Sequence, residues 1–295
     1  MHRIVFPAVA LLLVCISTVQ ADPLHVTVVL SDEGGAYQTF SDSLRSQLQT
    51  DRIALNVQRA TQTLGQSDIY VAVGMNATAA LSSRDVPTLS VLVPQAGYEQ
   101  LLKTSVQHGK PHSAVFLDQP LQRQVALLLA ALPATRQVGV LYEIPQPELQ
   151  SLRRLLADKG IHLHDRIVDK TQSLNDALES ILNESEVLFV LPDSEVYNGG
   201  TIRNILLTAY RKQVPLVGIS QAYVKAGALC AVFTTPEQVA RQAAGLIERY
   251  AESGKLPAPQ FPSDFEVSVN KQVARSLEIH IKDADQLRDA IRRAQ

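Results

Sequence analysis

Gln137-Val138-Gly139-Val140-Leu141-Tyr142 is a short, largely apolar run set between two stretches with helical spacing, Leu121 to Leu132 and Leu149 to Lys159. Pro133 stops the first helix, and Gly160 caps the second just before another strand, Ile161 to Val168. The same alternation continues with strands at Val187 to Leu191, Leu216 to Ile219 and Leu229 to Phe233, separated by helices at Leu174 to Asn183 and Ile202 to Lys212. Parallel strands need crossover connections, so this alternation implies a parallel sheet with helices on both faces.

An equivalent series precedes it. His25 to Leu30, Ile53 to Gln58, Ile69 to Val73, Thr88 to Val93 and Ser113 to Leu117 read as strands, and Tyr37 to Gln49, Asn76 to Ser83 and Tyr98 to Ser105 as helices. Two consecutive series imply two α/β lobes. A helix from Glu237 to Ser253, a Gly/Pro-containing connector from Gly254 to Pro262 and an extended stretch from Phe265 to Val269 follow the second series. No internal repeat or low-complexity tract interrupts the pattern.

The first residues set the expected compartment. Met1-His2-Arg3 is basic, Ile4 to Val19 is mostly apolar, and Val19-Gln20-Ala21 places small residues before Asp22-Pro23, the signature of a cleavable secretory signal. The rival reading, a membrane anchor, needs roughly 18 to 20 apolar residues, more than this run supplies. Cys15 lies inside the segment behind Val14, where a lipidation site wants a small residue. Beyond the segment 26 basic residues (27 minus Arg3) face 29 acidic ones, a balance without the footprint of a nucleic-acid or anionic-membrane binder. Cys230 is then the one remaining thiol, so stability must come from packed cores and not from an internal disulfide.

In open α/β sheets, ligands sit outside the carboxyl ends of the strands. The residues there are Ser31-Asp32-Glu33-Gly34-Gly35-Ala36-Tyr37, Gly74-Met75-Asn76, Asp118-Gln119, Tyr142-Glu143, Pro192-Asp193-Ser194 and Ser220-Gln221. Ser31, Tyr37, Asn76, Asp118, Tyr142, Asp193 and Ser220 are the candidate ligand-binding residues, since hydroxyl, amide, carboxylate and phenol groups suit a small polar or zwitterionic ligand. Asp193, Ser220 and Asn76 are equally good helix caps.

Several longer stretches carry a resemblance. Arg136 to Tyr142, Lys159-Gly160-Ile161, Val187 to Asp193, Val214 to Gly218, Tyr223-Val224-Lys225-Ala226-Gly227-Ala228-Leu229 and Phe265 to Asn270 together resemble the substrate-binding components of ABC transporters, a family with tryptophan- and tyrosine-type binders among its members. The resemblance runs over roughly Val115 to Ile281 and implies a type I periplasmic binding protein fold: two Rossmann-like lobes with parallel sheets, joined by a three-crossing hinge that closes on ligand. It places Asp118 at the opening of the second lobe, with Asp193 and Ser220 after successive strands. Where the family reads Gly-Thr-Pro or Gly-Ser-Pro this chain has Gly74-Met75-Asn76, and Leu92-Val93-Pro94 replaces Thr-Asp-Pro. The expected organisation is a signal at 1–21, a first lobe at 22–117 with 235–262, a second at 118–234 with 263–282, and a C-terminal helical extension at 283–295. The implied protein is a periplasmic monomer that gives a small-molecule ligand, an amino acid or related carboxylate, to an ABC permease in the inner membrane. A sensory or accessory periplasmic role without transport is the alternative.

Other chemistries lack their residues. Gly34-Gly35 follows the first strand without the Gly-rich dinucleotide fingerprint or a Lys-Ser/Thr, so no nucleotide cofactor is expected. His108 and His112 are separated by Gly109 and Pro111, and His162 with His164 would need a third ligand to hold a metal. No Gly-x-Ser-x-Gly elbow occurs, Cys230 lies in an apolar strand, and an enzyme is not expected.

Overall fold

The computed structural model describes residues 22–48, 52–105, 111–143, 147–168 and 173–295. The expected signal segment and His108 lie outside the described residues.

Strands β1 (Leu24–Leu30), β2 (Ile53–Arg59), β3 (Ile69–Val73), β4 (Thr88–Val93) and β5 (His112–Phe116) make a parallel sheet in the order β2-β1-β3-β4-β5. Helices α1 (Gly35–Gln47), α2 (Met75–Ser82) and α3 (Gln95–Ser105) connect them. The chain then crosses at residues 117–120 into α4 (Leu121–Ala131) and a second sheet. That sheet contains β6 (Gln137–Tyr142), β7 (His162–Ile167), β8 (Val187–Phe189), β9 (Leu216–Gly218) and β10 (Cys230–Phe233), connected by α5 (Pro147–Ala157), α6 (Leu174–Glu184), α7 (Ile202–Arg211) and α8 (Gln221–Ala226).

After β10 the chain crosses back. Helix α9 (Pro236–Ser253) opens on a capping box: the Gln238 N–H donates to the Thr235 hydroxyl, and the Thr235 N–H to the Gln238 side chain. Val239, Ala240, Ala243, Leu246 and Ile247 of α9 pack against Val26, Val28, Val71, Val91 and the α1 residues Phe40 and Leu44. Gln260 then lies along β5, its N–H donating to the Ala114 carbonyl and its carbonyl accepting from Phe116. The third crossing leads to β11 (Glu266–Val269), antiparallel to β10, which completes a six-stranded sheet ordered β11-β10-β9-β8-β6-β7. Helices α10 (Lys271–Ser276) and α11 (Ala284–Ala294) end the chain. The fold is the two-lobed, three-crossing α/β architecture of type I periplasmic binding proteins.

Side-chain alternation along the strands builds a core on each face of each sheet. Val71 and Val73 join the α1/α9 side of the first sheet, whereas Tyr70 and Ala72 face Ala77 and Leu81 of α2. Beyond shifts of one to three residues at element ends, three details differ from the sequence reading. The expected strand Val187 to Leu191 ends at Phe189, and α8 and α10, each of six residues, were not foreseen because they are too short for helical periodicity to register. The segment 283–295 is not an appendage: Leu287 and Ile291 of α11 are fully buried with α4 and β11 in the core of the second lobe. Its polar composition hides a narrow apolar stripe that only the tertiary structure identifies as a core face.

Candidate functional site

In each sheet the strand order reverses once, and the reversal opens a crevice between carboxyl ends. In the first lobe it lies between β1 and β3. Ser31 follows β1, donates its N–H to the Val73 carbonyl at 3.0 Å, and accepts the Ala77 N–H at 2.9 Å through its hydroxyl. It thereby caps α2 from another strand, because Gly74 at the N-cap position has no side chain to do so. Gly74 has φ of 85°, and a Cβ on it would stand 2.8 Å from both the Ser31 and Tyr37 hydroxyl oxygens. The Ser31 and Tyr37 hydroxyls thus both close on Gly74 at the mouth of α2. Asn76, two residues further on, is exposed in the first turn of that helix.

Asp118 sits on the first crossing. Its Oδ2 accepts the N–H of Gln95, the first residue of α3, at 2.5 Å. A bulge in β4, with Leu92 at φ of 53°, shifts the register between Val91 and Val93 just before this helix begins. Burial pushes the Asp118 carboxyl above the ordinary aspartate range; the Gln95 and Asp118 N–H groups pull it down, and the charge of Glu148 raises it again. Glu148 starts α5 in the second lobe and was not singled out from sequence, where it reads only as an acidic residue in a helix's first turn.

The second lobe's reversal falls between β6 and β8. Asp193 bridges it: Oδ2 accepts from the Glu143 N–H at 2.9 Å, and Oδ1 from Glu195 and Val196 at 3.0 and 3.2 Å. Tyr142, also expected at the ligand, turns into the core on the α4/α5 side and donates its hydroxyl to Asp165 Oδ2 at 2.8 Å. Arg153 pairs with the other Asp165 oxygen. Burial and the Asp165 hydrogen bond push the Tyr142 hydroxyl up to about 12. Ser220 is the N-cap of α8, accepting the Tyr223 N–H at 3.4 Å.

The seven expected residues therefore fall into three groups. Ser31, Tyr37 and Asn76 gather at α2; Asp118 stands at the crossing; Asp193, Ser220 and Tyr142 brace the second lobe. Among the described residues, the loops leaving the strands carry the carboxylates Asp32, Glu33, Asp118, Glu143, Asp193 and Glu195, and the one cation at these ends, Arg59, is paired with Glu33. A groove of about 550 Å³ opens at the ends of β1 and β2, between Glu33, Gln38, Gln58, Arg59 and Gln62. His162 and His164 meet edge to face at 4.7 Å, and the described residues contain no cluster of three or more His, Cys, Asp or Glu suited to a metal. Burial pushes the Cys230 thiol up to about 12, leaving it protonated in the core. No helix among the described residues is long and apolar enough to cross a membrane.

A family model described as "ABC transporter substrate binding protein" matches residues 53–289. No curated protein sequence matches the chain. Among solved structures, an ABC domain in complex with L-Trp from Streptococcus pneumoniae is similar at 15% identity and a TM-score of 0.63, over 88% of this chain and 96% of that one. A conserved domain protein from Vibrio cholerae is similar at 23% identity and a TM-score of 0.60, over 90% and 98%. A ligand-free, open substrate binding protein with adhesive properties from Clostridium difficile is similar at 14% identity and a TM-score of 0.67, over 89% and 97%. At these identities the likeness is one of fold.

Proposed function

Since the chain belongs to the ABC transporter substrate binding protein family, we propose that it is the periplasmic solute-binding component of an import system, closing its lobes on a small polar ligand and passing it to an inner-membrane permease. The observation that carries the ligand chemistry is the buried Asp118 carboxylate at the strand ends, whose described partners are backbone N–H groups and not a cation, and which feels the further negative charge of Glu148. That arrangement favours a ligand with an amine, as in an amino acid or a relative of one. Asp118 is the proposed amine acceptor. Ser31, Tyr37, Asn76 and Ser220 supply polar contacts, while Asp193 and Tyr142, already bonded to the framework, hold the second-lobe wall.

The relative from Streptococcus pneumoniae was solved with L-Trp, which makes amino acids the first compounds to test. A thermal-shift screen of the mature chain against amino acids, amines and small carboxylates is decisive, because a ligand at 100 times its dissociation constant adds about 2.7 kcal/mol of stability. Stabilisation by an amine-bearing compound supports the reading. No stabilisation across the whole panel would overturn it.

A further inference from the structure

Three separate stretches of chain join the lobes, and side chains tie them into one network. Gln119, on the first crossing, donates from Nε2 to the Thr234 hydroxyl at 2.7 Å. Thr234, on the second, donates that hydroxyl's hydrogen to the Asp264 carbonyl at 2.7 Å, on the third. Arg123, one turn into α4, donates from Nη1 both to Gln119 Oε1 at 2.8 Å and to the Pro262 carbonyl at 3.0 Å. Each amide atom of Gln119 has one defined role, so the amide orientation is fixed, while the Arg123 Nε–H stays unpaired in the interior. Gln119, Arg123 and Thr234 are all buried, and the Arg123 guanidinium lies 4.4 Å over the Phe265 ring. From the first lobe, Gln242 of α9 holds the same third crossing through the Phe261 carbonyl and the Ser263 N–H.

Ordinary strand-to-helix links between lobes need no such network, since each could flex separately. Hydrogen bonds in a buried setting are costly to leave half-made, so a network of this kind moves as a unit or not at all. Its first member is also the immediate neighbour of Asp118, whose carboxylate is anchored on the other side to α3.

We propose that Gln119, Thr234 and Arg123 form a buried clasp that makes the three crossings behave as a single hinge and thereby positions Asp118 relative to both lobes. They are positioning residues and touch no ligand. The role assigned to Asp118 rests on the binding function proposed above; the mechanical role does not. Loss of the clasp lets the crossings flex independently, which widens the range of interlobe arrangements in the free protein and lowers the affinity for any ligand that needs one of them.

The test therefore uses the free, full mature chain. Spin labels on Ala79→Cys in α2 and Glu179→Cys in α6, both exposed positions, report the interlobe distance by pulsed electron resonance. Thr234→Val removes the hydroxyl with little change in shape, Thr234→Ser retains it, and Gln119→Leu removes both amide contacts. Val and Leu are expected to broaden the distance distribution about twofold, with Ser restoring the parent's width. Should Gln119→Leu fold poorly, the Thr234 pair carries the result alone. A Thr234→Val distribution as narrow as the parent's overturns the clasp, whatever the ligand screen has found.

Discussion

Asp193 Oδ2 accepts the Glu143 N–H at 2.9 Å across the reversal in the second sheet, and Ser31 does the same for Ala77 in the first. The two lobes share a solution: a polar side chain closes the crevice from one strand end to the next. Asp193 serves three N–H groups at once, so Asp193→Ala leaves three donors to find other partners. The Glu195 donor is exposed and the other two are partly buried, so the loss is a fraction of the about 1–3 kcal/mol that each fully buried orphan costs, and the expected outcome is a lower melting temperature. Differential scanning fluorimetry on Asp193→Ala beside Asp193→Asn, which keeps one acceptor oxygen, measures it; unchanged melting in both would assign the residue to the ligand.

Asp118→Asn is expected to do the reverse. The amide oxygen still caps Gln95, while the buried charge is gone. Because burial raises the folded pKa of Asp118, its protonated form is the one the fold favours. That stability is fully present below the unfolded aspartate value and lost as pH rises through the folded value. The variant should therefore equal the parent at acid pH and melt higher above that window. Ligand affinity should fall by about 2–5 kcal/mol, and in the parent it should weaken as pH drops through the raised Asp118 pKa. Titration calorimetry across pH, with whichever compound the screen returns, checks both signs.

Gly74→Ala tests the mouth of α2. Its backbone, at φ of 85° and ψ of 172°, belongs to glycine, and a methyl group would press on both the Ser31 and Tyr37 hydroxyls. The expected loss is about 1–3 kcal/mol from the backbone alone. Adding Tyr37→Phe, which clears the phenol oxygen but leaves the ring carbon at 2.9 Å and the Ser31 hydroxyl at 2.8 Å, should recover only a small part of it.

Leu287→Ala should cost about 2–5 kcal/mol, the range for a truncated core leucine, because Leu287 is fully buried against α4 and β11. Urea denaturation gives the value. A cost below about 1 kcal/mol would return α11 to the status of an appendage.

The framework was legible in sequence because its strands are bounded by strong punctuation. Ile69–Val73, Thr88–Val93 and Gln137–Tyr142 match the sequence reading residue for residue, each followed closely by Gly74, Pro94 or a polar loop. The loops that frame the crevices were legible for the same reason, as they follow strand ends. What each side chain does there was not. Tyr142 turns to Asp165 because β6 and β7 pair with Val140 opposite Asp165, a register no local pattern encodes. Glu148 and the Gln119–Thr234–Arg123 clasp depend on stretches brought together by the crossings, and individually they read as ordinary helix and loop residues.

The placement of α9 has a consequence for how the chain is made. When a nascent chain has delivered every strand of the first sheet, through Phe116, the helix that covers one face of that sheet is still unsynthesised, beyond the whole of the second lobe. Val26, Val28, Val71 and Val91, covered in part by Phe40 and Leu44 of α1, wait for Val239, Ala243 and Ile247. The amino-terminal lobe thus stays unfinished until most of the second lobe has been made. Its early strands must be kept apart from one another's bare faces, and from those of neighbouring chains, for most of the time that synthesis takes.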